Sequence, residues 1–401
     1  MKKVLLLVLL FTVSSSSFAV SVDQNLLNKA KSGDRISQEK VAKFYEFSGE
    51  EGESLSWLYK AFENGSGYAA GKIAKAYYDG NMGLQRDRSE AWSWYKKGAE
   101  LNDKASLIFM ADDYAKETVK QYRESSVYNN PKYSDSYTLE LQRKEERQAR
   151  AGKEQALKYL IQCINELKDA ECNVRYAKLK RSLSGNLDNS AFEALKRAGN
   201  AGNYEAYTEL ALYFENGYIV EKDTYMAYKH LKTAAAKNEK NALGKLGEAY
   251  LQAHKYNLAK DEEKGINYLE KAGALGNGDA YRTLGDYYFT DKNNAVDLNR
   301  AIGYYEKGVA LGNPYAAWNL AALYSAHDEK LEKSRSYYTK EMAKLMALAA
   351  DGGLLEAQLA LASAHEKGQF GLHSRSKAKY YYELAAKQGS GEAKLKLKGF
   401  N

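Results

Sequence analysis

The chain has 401 residues, with 59 lysines and arginines against 52 aspartates and glutamates, a formal charge of +7 and only two prolines. Nucleic-acid binding calls for a concentrated basic face, and none is visible in charges so nearly balanced. So little proline leaves helices almost uninterrupted, and about 380 residues then fit one continuous repeat array as well as two or three globular domains.

In chain order, the first element is an export signal. Lys2 and Lys3 precede the apolar run VLLLVLLFTV, and Ser17-Phe18-Ala19 supplies the small residues that a signal peptidase reads. The run is too short to span a membrane. Cleavage after Ala19 is expected, with the mature chain addressed to the periplasm or onward to the medium. Removing residues 1–19 takes away Lys2 and Lys3 only, so the charge falls from +7 to +5. No cysteine near the cleavage point supports a lipid anchor.

Residues 20–66 read as N-terminal helices with a degenerate first repeat, in which SLSWLYKAFENG is the clearest helix. Over 67–114 a pattern emerges. Ala69 is followed by Ile73, Ala74 and Tyr77, and Ser106 by Met110, Ala111 and Tyr114. Offsets of four, five and eight fall on one side of a helix, here termed helix A. Between them EAWSWYKKGAELN, from Glu90, forms a second apolar stripe, helix B. Residues 115–153 interrupt the pattern with Pro131 and the charged run LQRKEERQARAGKEQ. Such an insertion is either a solvated extension or part of a binding face.

From 154 to 398 the pattern returns. Alanines recur at Ala206, Ala242, Ala280, Ala316, Ala357 and Ala393, each beginning a helix A. Helix B patterns start near Ser54, Ala91, Ala156, Ala191, Ala227, Gly265, Ala301, Met342 and Ala378, about nine in all. Gly276, Gly312 and Gly389 fit helix C-terminal caps. A charged stretch near Ser325–Glu341 lengthens one spacing, and GEAKLKLKGFN at the end reads as a capping helix.

These segments resemble the Sel-1-like repeat family, a relative of the tetratricopeptide repeat. Tyr68 to Asn102 and Gly278 to Asn313 follow the pattern A-x-x-x-L-G-x-x-Y-x-x-G, D, A-x-x-W/Y-Y-x-K-A-A-x-x-G nearly throughout. The resemblance covers roughly residues 34–398. It implies an all-α, right-handed α/α solenoid of about nine helical hairpins, whose concave groove binds a protein or peptide. It also implies groove positions on helix A at offsets −1, +2, +6, +9 and +10 from the repeat alanine. In this sequence those offsets select Tyr68, Lys75 and Tyr78; Glu248 and Leu251; Arg282, Asp286 and Phe289; and Tyr315 and Trp318. Rings flanked by charges compose a binding hot spot. Trp318 is the sharpest candidate, with packing between repeats as the competing reading.

Some exported arrays of the family serve cell-wall or exopolysaccharide machinery, so a glycan partner is the alternative, with exposed tyrosine and tryptophan as its footprint. Most of the 34 tyrosines, however, fall at repeat core positions.

Cys163, at plus seven of a helix B, and Cys172, at the start of the next helix A, are the only cysteines. An oxidising compartment favours a disulfide, stabilising by about 2–3 kcal/mol through its small loop, with two buried thiols as the alternative. Secreted, cysteine-rich family members carry bridges near this junction.

Catalysis has no footprint. His230, His254, His327, His365 and His373 are scattered over different repeats without metal-ligand spacing, and no phosphate loop follows a strand. His365 takes the plus-eight slot usually held by tyrosine and reads as a packed residue. Adjacent Glu262 and Glu263 point to different helix faces. Relatives have been linked to β-lactam binding, but no serine or zinc arrangement here supports hydrolysis. No cofactor, metal or transmembrane segment is expected.

Overall fold

The computed structural model describes the backbone of residues 21–124, 135–184, 188–217, 219–252, 255–290, 297–326 and 335–400. Twenty α-helices and no strand lie among them. The export signal, Pro131, His254 and His327 fall outside the described residues. The chain divides into two compact units, residues 1–110 and 111–401.

The first unit holds α1 (Gln24–Lys31), α2 (Arg35–Phe47), α3 (Glu51–Glu63), α4 (Gly67–Asp79), α5 (Arg88–Glu100) and the opening turns of α6 (Lys104–Glu124). The second continues with α7 (Asp135–Leu167), α8 (Ala170–Ser184), α9 (Asn189–Asn200), α10 (Glu205–Asn216) and α11 (Thr224–Ala235). Then come α12 (Lys240–Gln252), α13 (Glu262–Ala274), α14 (Gly278–Phe289), α15 (Leu298–Ala310) and α16 (Pro314–Ala326). It closes with α17 (Arg335–Asp351), α18 (Leu355–Lys367), α19 (Arg375–Lys387) and α20 (Gly391–Leu397). Even-numbered helices from α2 are A helices and odd-numbered ones from α3 are B helices. In the second unit each helix from α7 on packs against its successor, and α10, α12, α14 and α16 also touch one another in series. That is an α/α array of stacked hairpins.

The same few interactions recur from hairpin to hairpin. A polar side chain three residues before the repeat alanine caps helix A: Ser66 accepts from the Ala69 amide (2.9 Å), Asn277 from Ala280 (3.2 Å) and Asn313 from Ala316 (2.8 Å). An aspartate then caps helix B, with Asp223, Asp261 and Asp297 accepting from the amides of Met226, Lys264 and Arg300. The amide of the same aspartate donates back to the carbonyl at plus eight of helix A, in Asp223–Phe214, Asp261–Tyr250 and Asp297–Tyr288. One residue thus starts helix B and fastens it to helix A.

Rings complete the hairpin. The plus-eight residue of helix A stacks on the plus-three residue of helix B in Phe214–His230 (5.2 Å), Tyr250–Tyr268 (5.8 Å), Tyr288–Tyr304 (5.5 Å) and His365–Tyr381 (6.3 Å). Where neighbouring helices come closest, glycine removes the side chain. A Cβ at Gly247 would lie 2.9 Å from the Gly265 carbonyl, and one at Gly285 would lie 2.5 Å from the Tyr305 ring. The repeat alanines Ala206, Ala242, Ala316, Ala357 and Ala393 are fully buried. Gly276, Gly312 and Gly389 follow their helices at φ of 87°, 75° and 96°, the left-handed geometry of a C-terminal cap.

The long spacing after Ser106 is largely helix. The backbone of α6 runs on to Glu124, and α7 begins at Asp135, both within the stretch 115–153 that breaks the pattern in sequence.

Two outcomes are expected. Gly285→Ala destabilises by about 1–3 kcal/mol, because the Tyr305 ring must move in a filled core. Gly303→Ala, whose Cβ meets nothing within 4 Å, stabilises by about 0.5–1 kcal/mol through helix propensity. Urea unfolding of both variants against the parent checks the pair. The second concerns His365, which is 5% exposed and whose Nδ1 has no hydrogen-bond partner among the described residues. Burial, aided by Lys377, lowers its pKa from the ordinary value. The unfolded chain therefore binds more protons as pH falls below about 6.5, and stability declines in that window. His365→Tyr removes this contribution, so its Tm falls less than the parent's between pH 7.5 and 5.

Candidate partner-binding face

In the second unit three successive A helices, α6, α8 and α10, border a cleft of about 440 Å³. Its lining follows the repeat register once α8 is read with Cys172 in the alanine position. Tyr176 and Ala177 then fall at plus four and plus five, both buried. On that register Asp112 and Ala115 of α6 stand at plus six and plus nine, counted from Ser106. Glu171, Val174, Lys178 and Ser182 of α8 stand at −1, +2, +6 and +10, and Glu205 of α10 stands at −1. These are the groove offsets, yet none of these residues was singled out from sequence. The signal was present but hidden, because a cysteine stands where the other repeats carry a small marker residue.

Ion pairs run from helix to helix around the cleft. Arg175 Nη1 donates to both carboxylate oxygens of Asp112 (2.8 and 2.9 Å), and the same guanidinium pairs with Glu171 at 3.1 Å. Lys178 Nζ pairs with Glu205 at 2.6 Å, and Arg181 with Glu209. Burial works against the Arg175 charge, but Asp112 and Glu171 outweigh it and hold the pKa above its ordinary value. The groups are half-exposed, so each pair contributes about 0.2–1 kcal/mol. Half-buried Ala115 and Leu179 supply the accessible apolar surface over the buried Leu160 and Val174, and the Ser182 hydroxyl is occupied in donating to the Leu179 carbonyl (2.8 Å). Chemically, this arrangement holds charge and apolar surface and is suited to binding.

The residues singled out from sequence lie on α4, α12, α14 and α16. In the first unit, the half-exposed Tyr78 ring has the guanidinium carbons of Arg86 and Arg88 at 6.0 and 5.9 Å and meets Phe109 edge-on. Lys75 pairs with Asp79, and Tyr68 has the Lys72 ammonium 6.0 Å from its ring centre. In the second unit Glu248 accepts from Thr283 (3.2 Å), while Asp286 accepts from Tyr305 and Asn319 (2.7 Å each) and pairs with Arg282. Phe289 and Trp318 are partly buried against the core around α16–α18, whereas Tyr315 is 55% exposed.

Leu251 is a correction. It is 5% exposed and packs on Gly265, where an added Cβ would lie 2.8 Å from its Cδ2, so it belongs to the core and not to a binding face. The structure also adds an offset that sequence reasoning missed. The plus-six residue of one repeat pairs with the plus-three residue of the next in Asp112–Arg175, Glu248–Thr283 and Asp286–Asn319. A polar residue at plus three was the available clue.

Cys163 of α7 and Cys172 of α8 are joined by a disulfide, nine residues apart in sequence with Cα atoms 6.2 Å apart. Asp169 lies beside both sulfurs because it caps α8, accepting from the Cys172 amide at 3.1 Å. The sulfurs are bonded to each other, so this trio offers no thiolate pair to a metal. The bridge fastens the first turn of α8 directly behind Glu171.

The Sel1 repeat family matches residues 67–103, 205–239, 241–277, 279–313 and 355–390. No curated protein matches the chain. Among solved structures, the chain is similar to a protective antigen of uropathogenic Escherichia coli displaying an SLR fold, at 19% identity and a TM-score of 0.44, covering 94% of this chain and 82% of that one. It is also similar to a Sel1 repeat protein from Oxalobacter formigenes, at 18% identity and a TM-score of 0.43, covering 94% and 90%. An immunity protein from Pseudomonas aeruginosa is similar at 17% identity and a TM-score of 0.40, covering 56% and 82%.

Asp286 organises the polar rung between α14 and α16, and its loss removes the acceptor of the Tyr305 hydroxyl, which is 1% exposed. Asp286→Ala is expected to cost about 1–3 kcal/mol in urea unfolding. Asp286→Ala combined with Tyr305→Phe recovers part of that cost, because no buried hydroxyl is then left without a partner.

Proposed function

Since the chain carries five Sel1 repeats, we propose that it is a non-catalytic scaffold holding a protein or peptide partner against the faces of its A helices. The observation that carries this reading is the convergence of α6, α8 and α10 on one cleft, lined in the main by the groove offsets. The leader-like pattern of residues 1–19 and the Cys163–Cys172 bridge support a periplasmic address, since disulfides persist in oxidising compartments. Among the described residues no helix is long and apolar enough to cross a membrane.

Cell-wall or exopolysaccharide association is the second reading, and the exposed ring of Tyr315 is the observation in its favour. Sugar stacking needs bare ring faces. Tyr68 and Tyr78 have cations close to their rings, and Trp318 packs on the core, which favours a peptide.

A photoreactive residue at Tyr315 of the chain, expressed in a Gram-negative host and crosslinked in cells, tests the proposal. One dominant protein adduct is expected, on a chain whose first residue is Val20 and in the periplasmic fraction. Glycan-linked smears in place of a protein adduct would overturn the protein-scaffold reading.

A further inference from the structure

The cleft between α6, α8 and α10 carries more information than its position. Its volume of about 440 Å³ lies within the range of pockets that enclose a ligand. Its accessible apolar surface is at Ala115 and Leu179, over the buried Leu160 and Val174, and five charged groups line it. Asp112, Glu171 and Glu205 contribute −3, and Arg175 and Lys178 contribute +2, so the lining sums to −1. The distribution matters more than the sum. Arg175 already faces two carboxylates and Lys178 one. An entering anion would have to strip carboxylates from cations that they already neutralise. An entering cation adds to a site with surplus carboxylate in a partly desolvated setting, where charge interactions exceed those in water.

We propose that this cleft is a docking site for a peptide segment that places an apolar side chain against Ala115 and Leu179 and an adjacent lysine or arginine among Asp112, Glu171 and Glu205. The assignment rests on the scaffold reading above and gives it a partner chemistry. The apolar side chain supplies contact area, and the carboxylates select a cation over an anion.

The test uses the oxidised mature chain and two fluorescein-labelled, C-terminally amidated peptides, Ala-Leu-Lys-Leu-Ala and Ala-Leu-Glu-Leu-Ala, titrated by fluorescence polarisation. The lysine peptide is expected to bind at least tenfold more tightly. Ser182→Trp, at an exposed position on the cleft, and Glu205→Gln, which removes the surplus charge, should each weaken it at least fivefold, with Tm unchanged in the first and lowered by no more than a few degrees in the second, which gives up the Lys178 pair. Binding of neither peptide, equal or tighter binding of the glutamate peptide, or indifference to Ser182→Trp overturns the assignment. A second photoreactive site at Ser182 separates the two proposals. Protein adducts at Tyr315 with none at Ser182 remove the cleft and leave the scaffold standing. Absence of protein adducts at both removes both.

Discussion

Everything in this molecule depends on how closely two helices can approach, and glycine and alanine decide that distance. Within a hairpin, Gly247 faces Gly265 across a gap that admits no Cβ, and Gly285 faces the ring of Tyr305. Between hairpins, a Cβ on Gly308 would lie 2.8 Å from the Cβ of Ala316, and one on Gly98 would lie 2.3 Å from the Ser106 hydroxyl. A repeat buries its stripes only against its neighbours, so these contacts are the fold's main constraint. Rings, caps and ion pairs act at the separation they set. The stacks of Tyr250 on Tyr268 and Tyr288 on Tyr304 lie 5.8 and 5.5 Å apart, where offset aromatic pairs are attractive.

This explains how much the sequence disclosed. Small residues at fixed offsets leave a strong periodic trace, so helix A, helix B and the glycine caps could be read from spacing alone. Residues that respond to one particular neighbour leave none. Leu251 shares its offset with Tyr78 and Phe289, but only Leu251 stands over Gly265, and the missing Cβ there opens the space that its side chain fills. Applying one rule to every repeat placed Leu251 on the surface. A rule that also read the residue opposite would have placed it in the core. The cleft escaped notice for a related reason: with Cys172 in the alanine position, α8 offered no marker from which to count.

The charges are organised on the same scale. The mature chain's formal excess of +5 describes no local environment, because cations and carboxylates pair from helix to helix, as in Arg175–Asp112, Lys178–Glu205 and Arg181–Glu209. Each pair is weak in half-exposed surroundings. Together they fix neighbouring A helices in register and settle which sign of charge is left over at the cleft.

The rungs between plus-six and plus-three residues also narrow where a partner can be recognised. Where the repeats are regular, as from α12 to α16, Glu248 and Asp286 are already committed to Thr283, Asn319 and Arg282. A partner there would have to compete with the array's own bonds. The cleft instead lies where regularity fails, between α6 and α8, which the family pattern does not match, and α10, which it does. There a 33-residue α7 separates the A helices in sequence, and a disulfide takes over the anchoring that a repeat alanine performs elsewhere. An array that repeats one contact builds a surface at little cost in design. Specificity has to come from the units that depart from the pattern, because there the pairing between helices leaves carboxylates outnumbering cations beside an open cleft.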